Sequence, residues 1–224
     1  MVRFENVTKI FHDTQTLALD EVSFHIAPGQ LCILTGESGA GKTTLMRLLL
    51  REIEPDEGKI WVNGQELGAI RHRDTPMYRR TLGMVFQDYR LIPDKSIYQN
   101  VAMPKLVAGA KEKDVRNFVL MALRTVGMEN KFDRFPSELS GGEQQRAGIA
   151  RAIVGNPHFL MADEPTGNLD PNSAVEIMQL LEKINQMLGT TILIATHDMD
   201  AVSKISCRRL YLEDGKIWQE ESRG

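Results

Sequence analysis

Gly36-Glu37-Ser38-Gly39-Ala40-Gly41-Lys42-Thr43 matches the pattern G-x-x-x-x-G-K-[ST] at every fixed position. A chain of phosphates needs many donors at close range. Glycines at 36, 39 and 41 let the backbone turn its N–H groups toward phosphate oxygens, and a helix starting near Lys42 presents its positive end to them. Lys42 is expected to reach the β- and γ-phosphates and the Thr43 hydroxyl to hold Mg²⁺, with Glu37, Ser38, Ala40 and Thr44 completing the cradle.

A second glycine-rich stretch lies far along the chain, at Leu139-Ser140-Gly141-Gly142-Glu143-Gln144. A serine hydroxyl and bare amides just before a helix carrying Gln144 and Arg146 make another anion site. Residues 36–43 already wrap one phosphate chain, so the expected ligand here is a γ-phosphate held by a second copy. Asp163 and Glu164 end an apolar strand, where side chains face a nucleotide. Asp163 suits a water-mediated contact with Mg²⁺, and Glu164 is the candidate base that polarises water for in-line attack. Gln87 closes another strand and can serve Mg²⁺ or the attacking water. His197 follows a third strand and can hydrogen-bond the γ-phosphate. Phe11 is placed either to stack on adenine or to pack in the core.

These residues need a scaffold. Val2 to Val7 and Val22 to Ile26 alternate as strands, and Leu31 to Thr35 is a short apolar run that feeds the first loop. Lys42 to Glu52 reads as a helix, Lys59 to Val62 as a strand entering the Asn63-Gly64 turn, and Leu82 to Phe86 as a buried strand. Val115, Val119, Ala122 and Val126 recur at helical spacing before Gly127, and a second helix runs from Glu143 to Val154. Phe159 to Ala162 and Thr190 to Ala195 are strands. Between them Asp170-Pro171 opens a helix that Gly189 closes, and Asp214-Gly215 turns a final hairpin. The expected architecture is an α/β nucleotide-binding core, residues 1–87 and 155–224, interrupted by a helical insertion at 88–154.

Composition narrows the field. The 224 residues are 42% hydrophobic and 25% charged, typical of a globular chain, and the net charge of -3 gives no reason to expect nucleic acid. Two cysteines, Cys32 and Cys207, cannot build a disulfide framework and fit no zinc spacing. No apolar run approaches the roughly 18–20 residues that span a bilayer, and the charged start lacks a signal-peptide core. A cytoplasmic location is expected, with any membrane contact made through a partner. Arg71, Arg73, Arg79 and Arg80 form a basic cluster, read as a solvated face or as a contact for a partner or anionic lipid.

In this order the motifs resemble those of the ATPase subunits of ABC systems, over essentially the whole chain. Residues 36–43 match the Walker A loop, Gln87 the Q-loop, 139–144 the signature, 159–164 Walker B, Gly167-Asn168-Leu169-Asp170 the D-loop and His197 the switch histidine. The resemblance implies a P-loop NTPase fold of α/β class, an ABC-type nucleotide-binding domain with an N-terminal antiparallel β subdomain and an inserted α-helical subdomain. It implies ATP and Mg²⁺ as ligands and an ATP-dependent homodimer. Each ATP would lie between residues 36–43 of one copy and Ser140, Gly141 and Gly142 of the other, with Gln144 and Asp170 nearby. At position 11 the family usually has tyrosine; phenylalanine keeps the ring and removes the hydroxyl. Residues 83–89, 139–151 and 162–171 are similar to the cell-division branch. That branch implies the membrane protein FtsX as partner, engaged near residues 88–98 (Asp88, Tyr89, Leu91, Ile92, Tyr98), and an indirect link to a peptidoglycan hydrolase. The related lipoprotein-release and export ATPases share many of these features, and a nucleotide-gated scaffold with little turnover is an alternative of another kind.

Overall fold

The computed structural model describes the backbone of residues 1–222 and the side chains of residues 1–218. The core is a six-stranded sheet in the order β10-β9-β3-β8-β7-β6. Its strands are β3 (Leu31–Thr35), β6 (Leu82–Val85), β7 (Phe159–Asp163), β8 (Thr191–Ala195), β9 (Arg208–Glu213) and β10 (Lys216–Ser222). Strands β9, β3, β8, β7 and β6 are parallel neighbours, and β10 returns antiparallel to β9. A second, antiparallel sheet orders β2 (Thr16–Ile26), β1 (Val2–Phe11), β4 (Glu57–Val62) and β5 (Gln65–Glu66). The helices are α1 (Lys42–Leu49), α2 (Thr75–Arg79), α3 (Ile97–Val107), α4 (Glu112–Thr125), α5 (Gly141–Ile153), α6 (Pro171–Leu188) and α7 (Met199–Val202).

Period-two alternation in the core strands explains the layering. Cys32, Leu34, Phe159, Met161 and Leu193 face one way and pack with Phe4, Leu19 and Ile26 of the small sheet and Leu45 and Leu49 of α1. Ile33, Leu160, Ala162, Ile192 and Ile194 face the other way, against Val119, Leu123, Ile149, Ile177 and Leu181 of α4–α6. Every residue of β3 and β8 is buried, which only uninterrupted apolar strands covered on both faces sustain. Each fully buried leucine, isoleucine or phenylalanine contributes about 1.5–3 kcal/mol. This sandwich therefore fixes the rims of the parallel strands, where the candidate residues sit.

Local details depart from the sequence reading. Helix α1 stops at Leu49 because Arg51 turns left-handed, with φ 54°. Its last carbonyl and the two that follow are capped from α2: the Tyr78 hydroxyl donates to Leu49 O at 2.6 Å, and the Arg79 guanidinium donates to Leu50 O and Arg51 O. Arg79 of the basic cluster is thus structural, and Arg71 pairs with Asp74 at 2.7 Å. Helix α3, absent from the sequence reading, is opened by a capping box between Ser96 and Gln99. Helix α5 begins at Gly141, so the two glycines lie inside its first turn and Ser140 is its N-cap.

Candidate functional site

The parallel register brings four strand ends to one rim. Leu34 lies beside Ala195, Ala195 beside Asp163, and Ala162 beside Val85. The loops after β3, β6, β7 and β8 therefore converge, although their residues are widely separated in sequence.

The loop after β3 needs its glycines. A Cβ at Gly36 would lie 2.1 Å from Leu212 O, and one at Gly41, whose φ is 109°, would lie 2.5 Å from Ala18 O. Gly41 leads into α1 with no side-chain cap, and the first turn holds no acidic residue. The helix's orphan N–H groups and positive end thus remain directed at the loop, the arrangement that binds phosphate. Lys42 Nζ donates to Gly36 O at 2.6 Å and Glu37 O at 3.0 Å, holding its charge in the loop's mouth.

Asp163 and Glu164 close the opposite wall. Glu164 is left-handed, with φ 46°, and its N–H donates to Ala195 O at 2.8 Å, tying it to the end of β8. Its Oε1 lies 2.9 Å from His197 Nδ1, leaving the 71%-exposed imidazole open to the cleft. Burial, then the neighbouring Glu164 charge, pushes the Asp163 carboxyl above its usual range, opposed by Lys42 and Arg90. Gln87 packs on Gly167, where a Cβ would lie 2.7 Å from Nε2, and its carbonyl accepts from Asn168 Nδ2 at 3.0 Å. The cleft has a volume of about 880 Å³. It is lined by Glu37, Ser38, Gly39, Gly41, Lys42, Thr43, Thr44, Gln87, Asp163, Glu164 and His197. Gly36 and Ala40 shape its floor from behind, Ala40 being buried and donating to Glu37 O at 3.2 Å.

The donor set fits a nucleotide with a hard divalent ion. A threonine hydroxyl, an amide and a carboxylate are oxygen ligands suited to Mg²⁺. No group of three or more His, Cys, Asp or Glu able to hold a metal occurs among the described residues.

The remaining candidates lie outside this cleft. Ser140 accepts from Glu143 N–H at 3.4 Å while Glu143 Oε2 accepts from Ser140 N–H at 3.0 Å. Lys131 pairs with the same glutamate and, with the Ser140 N–H, keeps its carboxyl below the usual range. Gly142 faces Ser173, and Gln144 Nε2 turns back to Leu139 O at 3.2 Å. Asp170 caps α6, accepting from Asn172 N–H and Ser173 N–H at 3.1 Å each. The Ser173 side chain first, then these backbone N–H groups, hold its carboxyl below the usual range. Phe11 ends β1 half-buried, with Lys9 Nζ 6.0 Å from its ring centroid.

Several functional neighbours carry no sequence signal beyond residue type. Arg151, at the far end of α5, donates to the carbonyls of Tyr89 (2.7 Å) and Arg90, which are consecutive left-handed residues. The Tyr89 hydroxyl meanwhile lies against Gly141, 2.9 Å from where a Cβ would stand. Gln145, fully buried, donates to Pro165 O at 2.6 Å, linking α5 to the turn after Glu164. The segment at residues 88–98, expected to be exposed and apolar, is exposed only in part. Asp88 and Ile92 are exposed, but Leu91 and Tyr98 pack against the core and Tyr89 is half-buried. Tyr98 instead lines a separate cleft of about 750 Å³ with Leu120 and Phe132.

Comparison with known proteins accords with this geometry. The ABC transporter family model matches residues 19–167. The cell division ATP-binding protein FtsE of Escherichia coli strain K12 is 47% identical over 217 residues, 97% of each chain. FtsE of Streptococcus pneumoniae strain D39 is 46% identical over 224 residues, 100% of this chain and 96% of that one. A solved dimeric ATP-binding cassette, in a post-hydrolysis state bound to ADP and Pi, superposes with a TM-score of 0.87 at 33% identity over 100% of both chains. This chain belongs to the ABC transporter family as one of its ATPase domains, with cell-division ATP-binding proteins among its relatives.

Proposed function

We propose that the chain is the ATP-hydrolysing subunit of a membrane-associated cell-division complex, with Glu164 activating water and a second copy completing each ATP site. The convergence of Lys42, Gln87, Asp163, Glu164 and His197 on one cleft carries this reading. The α1 N–H groups and Lys42 bind the β- and γ-phosphates. Glu164 accepts a proton of the attacking water and aims its oxygen at the γ-phosphorus; the bond from that phosphorus to the ADP oxygen breaks as the new one forms. His197, through Nδ1, holds the Glu164 carboxylate in place and can present its exposed edge to the γ-phosphate. Thr43, Gln87 and Asp163 would hold Mg²⁺, which neutralises charge developing on the phosphates.

Ser140, Gly141 and Gly142 stand outside their own chain's cleft, which supports a role facing the γ-phosphate of a second copy. The dimeric ADP- and Pi-bound relative supports the same pairing. Phe11 would take the adenine, and Gln144 and Asp170 would flank the pairing surface. No described helix is long and apolar enough to cross a membrane, so attachment to the cytoplasmic face is proposed to run through FtsX. Its docking place would be Asp88, Ile92 and the cleft beside Tyr98, and the output an indirect control of peptidoglycan hydrolysis.

Glu164→Gln should lower turnover by about 10²–10³-fold with ATP binding retained. Ser140→Arg should leave ATP binding to the monomer intact and abolish ATP-dependent dimers in light scattering. Unchanged hydrolysis in the glutamine variant would remove Glu164 from its role. Copurification with an export permease alone would overturn the FtsX assignment.

A further inference from the structure

At its far end β1 outruns its neighbour. Strand β4 begins at Glu57, opposite Thr8, so it does not extend beside Lys9, Ile10 and Phe11. Asp56 supplies the missing rung. Its N–H donates to Thr8 O at 2.9 Å, and its Oδ2 accepts from Ile10 N–H at 2.7 Å. The same oxygen lies 3.0 Å from Lys9 Nζ, and Oδ1 lies 3.7 Å from His12 Nε2. Residues on both sides of Phe11 thus converge on one carboxylate. A charge-assisted bond to a backbone N–H outweighs the partly exposed ion pair, so the Ile10 contact is the stronger restraint. Lys9 adds a second one, because its ammonium also faces the Phe11 ring.

Across the hairpin Phe11 pairs with Thr16, and β2 then rests on the phosphate loop through the close approach of Ala18 O to Gly41. One edge of the Phe11 segment is therefore referenced to the loop by β2. Among the described residues, the other edge is held by Asp56.

We infer that Asp56 is a positioning residue for the base end of the nucleotide site, holding the end of β1 so that Phe11 presents its ring to adenine. This rests on the reading of Phe11 as the adenine platform. The ligand distinction is chemical: Asp56 should matter for a polyphosphate that carries a base and not for one without.

The test compares wild type, Asp56→Ala, Asp56→Asn and Phe11→Ala. ATP affinity, turnover at saturating ATP and inhibition by inorganic tripolyphosphate are measured for each. Asp56→Ala should weaken ATP binding by about five- to tenfold, with saturated turnover and tripolyphosphate inhibition unchanged. Asp56→Asn keeps an oxygen for Ile10 N–H and should fall between; it carries the comparison should the alanine variant fail to fold. Phe11→Ala should weaken ATP at least as much. If Phe11→Ala weakens ATP and Asp56→Ala does not, the role of Asp56 is overturned while the adenine reading stands. If Phe11→Ala leaves ATP affinity unchanged, both fall. Parallel weakening of tripolyphosphate would mean general distortion of the loop and would also overturn the inference.

Discussion

Two glycine-rich helix starts in this chain face opposite problems. Helix α1 begins without a side-chain cap or an acidic residue, its glycines forced into close backbone approaches and a left-handed N-cap. Helix α5 begins with a complete capping box, Ser140 and Glu143 satisfying each other, and Lys131 braced against the glutamate. The first start is left open for the phosphates of the nucleotide that its own chain binds. The second is stable without one, as a surface must be if its ligand arrives only with another molecule. On the proposed pairing, similar glycine-rich sequences mark a site that the monomer assembles and one that it would present to a second copy.

Glycine replacement should separate the two most sharply. Gly41→Ala places a Cβ against Ala18 O at a positive φ and should reduce ATP affinity by about 10²-fold or more. Gly142→Ala meets only ordinary contact with Ser173 at 3.5 Å. Within a helix it should leave monomer ATP affinity unchanged and raise stability by about 0.5–1 kcal/mol. Equal losses of ATP affinity in titration calorimetry would break the distinction.

A smaller effect should come from Ser140→Ala. Losing this cap costs about 1 kcal/mol, which lowers Tm by roughly 2–4 °C in a chain of this size. Calorimetry showing no shift would mean that the box stabilises nothing in the monomer.

The smallest effect is acid-dependent. Because Lys131 and the Ser140 N–H hold the Glu143 carboxyl below its usual range, its contribution is present above the ordinary glutamate pKa and lost as pH falls through the lowered one. Thermal unfolding of wild type should therefore lose a fraction of a kcal/mol more than Glu143→Gln on acidification through that window. Parallel pH profiles would show the box to be electrostatically idle.

Much of this was legible in the chain itself. The apolar runs at Leu31 to Thr35 and Phe159 to Ala162 are real core strands because nothing but burial on both faces suits them. Asp170-Pro171 and Gly189 bound α6 as read, since capping is a local property of a few residues. Helix α3 escaped because its apolar residues follow no single stripe and Pro104 interrupts them. Its start depends on Ser96 and Gln99, and buried Asn100 ties it to the carbonyls of Ile92, Lys95 and Ser96. The exposed look of Leu91 and Tyr98 failed for a related reason: apolar residues in a loop reveal burial only once their neighbours in space are known.

Residue type and spacing alone determined the phosphate loop, the acidic strand end and the family, because each motif is a short run of residue types that can be recognised before its neighbours in space are known. Tertiary structure decided the rest. Register between parallel strands set Glu164 beside His197 and Gln87 against Gly167, and the start of β4 opposite Thr8, short of the end of β1, gave Asp56 its place beside Ile10. Such contacts join residues distant in sequence, and only the packing of the sheets brings them within hydrogen-bond reach.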